Sequence, residues 1–403
     1  MPAIPRSHLV DAGARHYCPD RHNDVSTSNG GGPVTSNPNV AIVAASLDIL
    51  GGQGVQARTL IDAMRADGNH VEFIPINPRF PRPLARLRRY PGVRTVVNQL
   101  LYLPSLLRLA SCDVAHVFSA SYASFLIAPV PAMIVARLLN KRVVLHYHSG
   151  EADDHLNSWG WLVHPWLKLA HHIVVPSEYL RVVFEKYGYH VHVIPNVVDL
   201  SQFKYRERRP LTPRLLSTRN LEAHYRVDVI IETFARLKRH VPDATLTIAG
   251  YGSQESTLRA LAATCGADGI QFVGRVEPAF MPHLYDRADI FLNASVVDNQ
   301  PVSILEAFAS GLPVITTPTG DIPALVQDQQ TGFLVPPIDP DAMANAIVNV
   351  LENPDHARAC CERAYASLTR FTWPAVRDAW ARIYRAPSSA DLGQSWTVSE
   401  HLR

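Results

Sequence analysis

Three polar residues, Asp298, Ser303 and Glu306, have types and a spacing that suit the binding of a nucleotide. Ser303 and Glu306 are three residues apart, so they share one face if the segment is helical. A carboxylate there can accept two ribose hydroxyls while the free backbone N–H groups of the first helical turn hold a diphosphate. Asp298, which precedes the helix, can reach a sugar hydroxyl beyond the phosphates. The alternative for all three residues is a capped helix with solvated acids.

The elements that must position these residues can be predicted from local patterns. Pro301 suits a first helical turn and Gly311 suits a helix C-terminus, so the sequence predicts a helix over about 301–310. Elsewhere, short apolar runs alternate with helical patterns, which indicates parallel sheets with helices on both faces. The predicted strands begin near residues 39, 71, 113, 142, 172 and 191 and then, after a polar linker at 200–213, near residues 215, 245, 270, 289 and 313.

This pattern predicts an α/β protein with two doubly wound, Rossmann-like domains in tandem that face a shared cleft. The pattern restarts after residue 200, which places the boundary between the domains there. The predicted parts are a disordered tail at 1–36, a first domain at 37–200, a second domain at 201–370, a C-terminal helix at 371–386 and a flexible tail at 387–403.

The composition excludes several classes of protein. Lys plus Arg is 38 and Asp plus Glu is 36, so the net charge of +2 gives no general attraction to nucleic acid. The five cysteines include no CxxC spacing, which supports neither a zinc site nor a disulfide framework and favours a reducing compartment. No apolar run approaches the roughly 20 residues of a membrane span, and the N-terminus has no apolar signal core. We therefore expect a cytoplasmic protein.

A glycine pair, Gly51-Gly52, lies between the first predicted strand and its helix. Backbone N–H groups at such a site can approach a phosphate closely, and the helix dipole favours its negative charge. The pair lacks the GxGxxG spacing of a dinucleotide fingerprint, and no acid ends the next strand as NAD binding would require. A plain tight turn is therefore an equally compatible interpretation.

The stretch that begins at Asp298 resembles the signature of glycosyltransferase family 4. In that signature an acid, seven residues and a Glu precede A-x-A/S-G-x-P-V-I; Asp298 and Glu306 have this spacing, and ASGLPVI follows at 309–315. The resemblance extends over about 39–385, and its further parts stand in the expected order. They are the glycine pair at 51–52, HYHSG at 146–150, IPNVVD at 194–199, STRNL at 217–221, AGYGSQ at 249–254, FVGRV at 272–276, LYDRAD at 284–289 and FTWPAVRDAW at 371–380.

This resemblance implies the GT-B fold, with an acceptor-side first domain, a nucleotide-sugar-binding second domain and a C-terminal helix that crosses back to the first. It implies transfer of a sugar from a nucleotide-diphosphate sugar with retention of configuration, without a metal ion or cofactor. The expected acceptor is a glycan or glycolipid of cell-surface polysaccharide or glycolipid synthesis.

Carried over residue by residue, the resemblance assigns Glu306 to the ribose, Asp298 to the donor sugar and Arg219 to the diphosphate. His148 would sit at the reacting sugar, where it donates a hydrogen bond or orients the donor; a structural histidine at a strand end is the alternative. The other implied donor-binding residues are Gly51 and Gly52 against the phosphates, Gly250 and Gly252 beside the base, and Tyr225, Arg226, Asn299 and Ser303.

Two departures from the family pattern affect these roles. Tyr225 stands where the family usually has a lysine, six residues after the arginine, and Arg226 stands where it has a glycine; Arg226 is the candidate to replace the missing charge. The usual first Glu is Asp298, one methylene shorter. A non-catalytic nucleotide-sugar-binding module is therefore one alternative. A nicotinamide-dependent two-domain oxidoreductase is another, although Asp298–Gly311 has no role in it.

A basic segment lies within the first predicted domain. Between Phe73 and Cys112 there are seven arginines, no lysine and no acid, and the apolar run LLYLPSLL occupies 100–107. Family resemblance places this region toward the acceptor or a membrane, so we expect peripheral contact with the inner face of the membrane through Arg79–Arg94. A solvated basic loop is the alternative.

Overall fold

Two six-stranded parallel sheets form the frame of the protein in the computed structural model, which describes residues 37–47, 52–81, 89–119, 121–266 and 268–385. The first sheet has the order β2-β1-β3-β4-β5-β6. Its strands are β1 (Val40–Ala44), β2 (Val71–Pro75), β3 (Val114–Ser119), β4 (Arg142–Tyr147), β5 (His172–Val175) and β6 (His192–Val193). The helices of this half are α1 (Gly52–Ala66), α2 (Pro91–Ser105), α3 (Tyr122–Ile127), α4 (Pro129–Leu138), α5 (Ala152–Ser158), α6 (Gly160–Leu167) and α7 (Glu178–Lys186).

The second sheet has the order β12-β11-β10-β7-β8-β9. Its strands are β7 (Arg214–Ser217), β8 (Thr245–Ala249), β9 (Ile270–Gly274), β10 (Ile290–Asn293), β11 (Val314–Thr316) and β12 (Phe333–Leu334). Its helices are α8 (Val227–Leu237), α9 (Glu255–Thr264), α10 (Met281–Arg287), α11 (Val302–Ala309), α12 (Ile322–Leu325), α13 (Pro340–Glu352), α14 (Pro354–Ser367) and α15 (Trp373–Arg385).

Each sheet buries apolar side chains on both faces, as expected for parallel strands covered by helices. In β1, Ala41 and Val43 enter one buried cluster, whereas Val40, Ile42 and Ala44 enter another on the opposite face. This explains why the strands have continuous apolar sequences rather than alternating ones. The sequence therefore predicts eleven of the strands near their observed positions; the twelfth, β12, has two residues and gives no comparable signal.

The last helix, α15, packs on the first sheet although it follows the second in the chain. Its buried residues Val376, Trp380, Ile383 and Tyr384 recur at helical spacing and join the cluster that contains Val40 and Val144. The crossing-back predicted for the C-terminal helix at 371–386 is therefore confirmed, as far as Arg385, the last residue described.

The strand order of each sheet fixes where functional side chains meet. In the second sheet the chain runs outward from β7 through β8 to β9, and then returns to β10 on the other side of β7. The loops after β7 and β10 therefore leave the sheet side by side and in opposite directions. The first sheet has an equivalent point between β1 and β3.

The linker predicted at 200–213 connects the two sheets, but one of its charges is not solvated. Arg208 is 2% exposed, and its guanidinium donates to the carbonyl oxygens of Tyr285, Ala288 and Ser310. Carbonyls at the ends of α10 and α11 are the unsatisfied acceptors that a cation stabilises. The segment is thus fixed to the second sheet's helices.

Several predicted features lie outside the described residues. They are the tails at 1–36 and 387–403, Gly51, and Arg82, Arg86 and Arg88 of the basic segment. Among the described helices, none has the length and apolar character needed to cross a membrane.

Candidate functional site

The loops after β7 and β10 bring Arg219 and Asp298 into contact. Arg219 Nη2 donates to Asp298 Oδ2 at 2.7 Å, and Arg219 Nη1 donates to Ser303 Oγ at 3.1 Å, in the first turn of α11. Both charged side chains are 9% exposed. A buried ion pair of this kind persists because each charge would be strongly unfavourable alone.

Arg219 retains unused binding capacity in this arrangement. Its Nε is buried and has no hydrogen-bond partner among the described residues. Burial by itself lowers the pKa of Arg219, but the nearby Asp298 and Tyr225 outweigh it and raise that pKa, so the guanidinium is permanently charged. An unsatisfied, buried donor beside a cavity is a feature that a bound anion would explain.

Tyr225, at the position where family resemblance expects lysine, forms the base of this arrangement. Its ring centroid lies 4.1 Å from the central carbon of the Arg219 guanidinium, which is cation–π geometry. The tyrosine thus stabilises the arginine but adds no charge of its own.

Arg226 does not supply the missing charge. Its side chain turns to Asp228 at 2.7 Å, and its backbone has φ 48° and ψ 45°, in the left-handed region. Glycine adopts this conformation at least cost, which gives a physical reason for the glycine expected there. The structure therefore does not bring Arg226 to the other predicted site residues.

Glu306 is one turn into α11 and engages a buried tyrosine. Its Oε2 accepts from Tyr285 Oη at 2.7 Å, and the same hydroxyl lies 2.8 Å from Thr218 Oγ1. Burial raises the pKa of Glu306 to about 7, although the Tyr285 hydrogen bond and Arg219 act in the opposite direction. The carboxyl titrates in the neutral range, and it lines a cavity of about 40 Å³ with Val302.

The two glycines predicted beside the base are required by close packing of the loops. A Cβ on Gly250 would lie 2.1 Å from the Arg219 carbonyl oxygen, and one on Gly252 would lie 2.3 Å from that of Leu221. Gly250 also lines a cavity with Tyr251 and Arg219. These glycines therefore let the loops after β7 and β8 approach each other.

His148 follows β4 directly and faces the second sheet's loops. Its carbonyl oxygen accepts from Asn299 Nδ2 at 3.5 Å, and its ring stacks on Phe118 with centroids 5.0 Å apart. Burial lowers the pKa of His148 to about 3, so the imidazole is neutral at physiological pH. Its Nε2 is buried and has no hydrogen-bond partner among the described residues.

Two larger cavities bring most of these residues together into one candidate site. The smaller, of about 140 Å³, lies beside β7 and β8, and the larger, of about 410 Å³, lies between the two halves. Both are lined by Gly52, Arg219, Tyr225 and Val302. The larger is also lined by Gln53, Gln56, Ser121, Tyr122, Ser124, His148, Ser149, Gly150, Glu151, Asn196, His224, Val297, Asp298, Asn299, Gln300 and Pro301.

Asn299 and Gln300 connect the halves of the site. The Oδ1 of Asn299 accepts from Ser177 Oγ. Gln300 accepts two hydrogen bonds from Asn196, at its Oε1 from the backbone N–H (2.7 Å) and at its carbonyl oxygen from Nδ2 (3.0 Å). The family resemblance assigns Asn299 to the donor, whereas no motif in the sequence selects Gln300. Asn196 lay within the IPNVVD motif but had no assigned role.

Metal ligands are not grouped in this site. The described part of the chain contains no cluster of three or more His, Cys, Asp or Glu side chains with metal-binding geometry.

Two family models and several known proteins match this chain. The family model described as Glycosyltransferase Family 4 matches residues 50–202, and that described as Glycosyl transferases group 1 matches residues 202–367. The chain is 30% identical over 279 residues to glycogen synthase of Mycobacterium tuberculosis, which is 64% of this chain but only 66% of that relative's length. It is 24% identical over 371 residues to phosphatidyl-myo-inositol mannosyltransferase of Mycobacterium leprae, covering 86% and 96% of the two chains.

Solved structures resemble it in fold. The Anabaena protein Alr3699/HepE in complex with UDP and glucose has a TM-score of 0.67 and 17% identity, covering 87% of this chain and 100% of that one. Sucrose-phosphate synthase of Thermosynechococcus elongatus has a TM-score of 0.68 and 20% identity, covering 86% and 98%. The predicted GT-B fold is confirmed.

Proposed function

The chain belongs to the group 1 glycosyltransferases of family 4, and from this premise we propose that it transfers a sugar from a nucleotide-diphosphate sugar to an acceptor hydroxyl, with retention of configuration. The observation that carries the proposal is the buried Arg219, whose Nε lacks a partner among the described residues at the junction of two cavities. A diphosphate is a ligand that would satisfy such a donor.

The diphosphate would bind between Arg219 and the N-terminus of α11. Free N–H groups in the first turn of that helix add partial positive charge beside Ser303. As the nucleoside diphosphate leaves, negative charge grows on its oxygens, and these fixed donors stabilise it more than they stabilise the intact donor. Because these groups provide the charge stabilisation, the proposed reaction needs no metal ion.

The nucleoside would lie along α11 and the smaller cavity. Glu306 is half-buried one turn beyond Ser303, where an ionised carboxylate can accept two ribose hydroxyls. Gly250 and Tyr251 line the cavity of about 140 Å³ and leave room for the base.

The donor sugar would extend into the larger cavity, toward Asp298 and His148. A neutral imidazole can donate or accept a hydrogen bond from a sugar hydroxyl, and a carboxylate can accept one. These groups would orient the sugar and favour its oxocarbenium-like transition state, so the proposed catalysis is positional and electrostatic.

The acceptor would be a glycan or a glycolipid. The chain's similarity to a glycogen synthase supports the first, and its similarity to a phosphatidyl-myo-inositol mannosyltransferase supports the second. Helix α2 favours the lipid, since Val93, Val96, Leu100 and Leu103 are exposed at helical spacing, and Leu107 continues the stripe. We therefore include peripheral contact with an anionic membrane through this stripe and the adjoining Arg79–Arg94 segment.

A second candidate is a nucleotide-sugar-binding protein without transferase activity, because Tyr225 takes the place of a catalytic-site lysine. A nicotinamide-dependent oxidoreductase is not favoured by any of the family matches.

A thermal-shift panel of UDP-, GDP- and ADP-linked sugars tests the proposal. A donor at a hundred times its dissociation constant adds about 2.7 kcal/mol, which gives a clear rise in Tm. The stabilising donor should then release nucleoside diphosphate on incubation with glycan or lipid acceptors. Stabilisation without release supports the binding protein, and a panel with no stabilising donor refutes both.

A further inference from the structure

A row of three histidines, His116, His146 and His148, leads from the last helix to the larger cavity. His116 and His146 are buried on neighbouring strands β3 and β4, on the face of the sheet that α15 covers. The row is not required for packing alone, since apolar side chains fill the rest of that face. Its polar groups therefore call for a separate explanation.

Hydrogen bonds join His116 to Tyr384 and to His146. Tyr384 Oη lies 2.8 Å from His116 Nδ1, and His116 Nε2 lies 3.1 Å from His146 Nδ1. Burial holds the pKa of both imidazoles below the ordinary value, so both are neutral. A neutral imidazole has one donor nitrogen and one acceptor nitrogen.

This chemistry couples the two imidazoles. If Tyr384 donates to His116, then His116 must donate to His146, and the proton of His146 lies on its Nε2. If Tyr384 accepts, both imidazoles reverse and His146 Nε2 presents a lone pair. The hydroxyl of Tyr384 thus selects the direction of the dipole at the far end of the array.

That far end contacts His148. The rings of His146 and His148 have centroids 4.0 Å apart, and His146 Nε2 is buried with no hydrogen-bond partner among the described residues. Phe118 stacks on both His116 and His148, with interplanar angles of 10° and 8°. In such a dry environment the dipole of one imidazole acts strongly on its neighbour.

We propose that Tyr384, His116 and His146 form a positioning array that fixes the orientation and the tautomer of His148 at the donor sugar. The proposal rests on the proposed function for its catalytic consequence, but the array itself does not. It gives the crossing-back helix α15 a role in the site, because that helix supplies the hydroxyl that ends the array.

Tyr384→Phe tests the array because it keeps the ring and removes only the hydroxyl. Tyr102→Phe is the matched control, since Tyr102 is also buried in the first half and donates a 2.8 Å hydrogen bond to the Ala128 carbonyl oxygen. In protein labelled with ¹⁵N-histidine, the imidazole signal of His148 is identified by its loss in His148→Ala. We expect Tyr384→Phe to shift that signal and Tyr102→Phe to leave it unchanged. An unmoved His148 signal in Tyr384→Phe refutes the array, whether or not the protein is an enzyme.

The kinetic readout uses the nucleotide sugar that the thermal-shift panel selects. Tyr384→Phe should lower kcat about tenfold and leave the donor KM within about twofold, because the array acts on the reacting sugar rather than on nucleotide binding. In a His148→Ala background the same substitution should have no further effect on kcat. Equal losses in both backgrounds, or a loss matched by Tyr102→Phe, would show that Tyr384 contributes only to stability.

Discussion

Arg219 and Asp298 are 79 residues apart in the chain, yet the guanidinium and carboxylate form a 2.7 Å ion pair in the cleft. The pair joins the residue that would hold the donor's diphosphate to the one that would hold its sugar. Asp298 therefore occupies part of the anion-binding capacity of Arg219. A bound donor must share or replace this contact. Substitution of Arg219 and substitution of Asp298 should therefore affect diphosphate binding differently.

Removal of the Arg219 guanidinium should weaken nucleoside-diphosphate binding. Charge-assisted hydrogen bonds contribute about 1.5–3 kcal/mol, so Arg219→Ala should lower the affinity roughly ten- to hundredfold. Calorimetry with the diphosphate of the selected donor measures this. Arg236→Ala is the control, because Arg236 pairs with Asp341 on the outside of the same half. Equal affinity in Arg219→Ala and wild type would refute the phosphate role.

Asp298→Asn should separate binding from turnover. The variant removes the negative charge that competes with a diphosphate for Arg219, so affinity for the free diphosphate should rise by roughly three- to tenfold. Turnover of the intact donor should fall tenfold or more, about 1.4 kcal/mol, because the sugar loses its carboxylate. Weaker diphosphate binding combined with unchanged turnover at saturating donor would reverse the roles assigned to Asp298 and Glu306.

Tyr225→Lys should restore the second cation that family resemblance expects. Both cavities are lined by Tyr225, so a lysine there would reach a diphosphate and should raise its affinity about tenfold. The Tm of the unliganded protein should fall, since the cation–π contact with Arg219 is lost and a like charge takes its place. Tyr225→Phe keeps the ring and should change affinity less than threefold. A folded Tyr225→Lys protein with wild-type affinity would contradict the prediction.

The Glu306 carboxyl should make nucleotide binding depend on pH. Its pKa is raised from the ordinary 4.5 to about 7, first by burial, so ionisation to the better acceptor occurs as the pH rises through 7. Affinity should therefore increase from pH 6 to 8. The diphosphate itself also titrates near pH 6, so the affinity must be compared between wild type and Glu306→Gln at each pH. The affinity of Glu306→Gln should change less with pH than that of the wild type.

The raised pKa of Glu306 should strengthen nucleotide binding as the pH rises, but it should weaken the stability of the folded protein. The unfolded chain releases the Glu306 proton near pH 4.5 and the folded chain near pH 7, so this group lowers stability as the pH rises between these values. The Glu306→Gln variant should not show this loss of stability. Denaturant unfolding at pH 5 and pH 8 gives the free energy of unfolding of wild type and variant. Equal changes in that free energy in the two proteins would show that Glu306 keeps its ordinary pKa.

The α2 stripe should bind anionic membranes. Basic residues near such a surface contribute about 1 kcal/mol each, and buried leucines add the hydrophobic component. Leu100→Ser with Leu103→Ser should reduce co-sedimentation with vesicles of mixed phosphatidylcholine and phosphatidylserine, and neutralisation of Arg89 and Arg94 should reduce it further. Arg377→Gln, on the exposed face of α15, is the control. Absence of binding at low salt would refute the membrane contact.

The positions of the strands and helices and the family membership can be predicted from local sequence patterns. Strand positions follow from continuous apolar runs, because both faces of a parallel strand are buried. The ends of α11 follow from Pro301 and Gly311, whose backbone preferences are local. The signature from Asp298 to Glu306 is also local, so its spacing could be recognised without any knowledge of contacts.

The contacts of the functional side chains, in contrast, depend on how distant segments of the chain pack together. The pairing of Arg219 with Asp298 depends on the adjacency of β7 and β10, which is a property of strand order and not of either segment. The contact of Glu306 with Tyr285 and the row from Tyr384 to His148 likewise join segments that are distant in the sequence. Arg226 pairs with Asp228, two residues further along the chain, and the presence of a basic residue at this position does not reveal which acid or ligand it contacts. Local conformational preferences therefore determine where helices and strands form, whereas long-range contacts determine the ionisation and hydrogen bonding of the side chains on them.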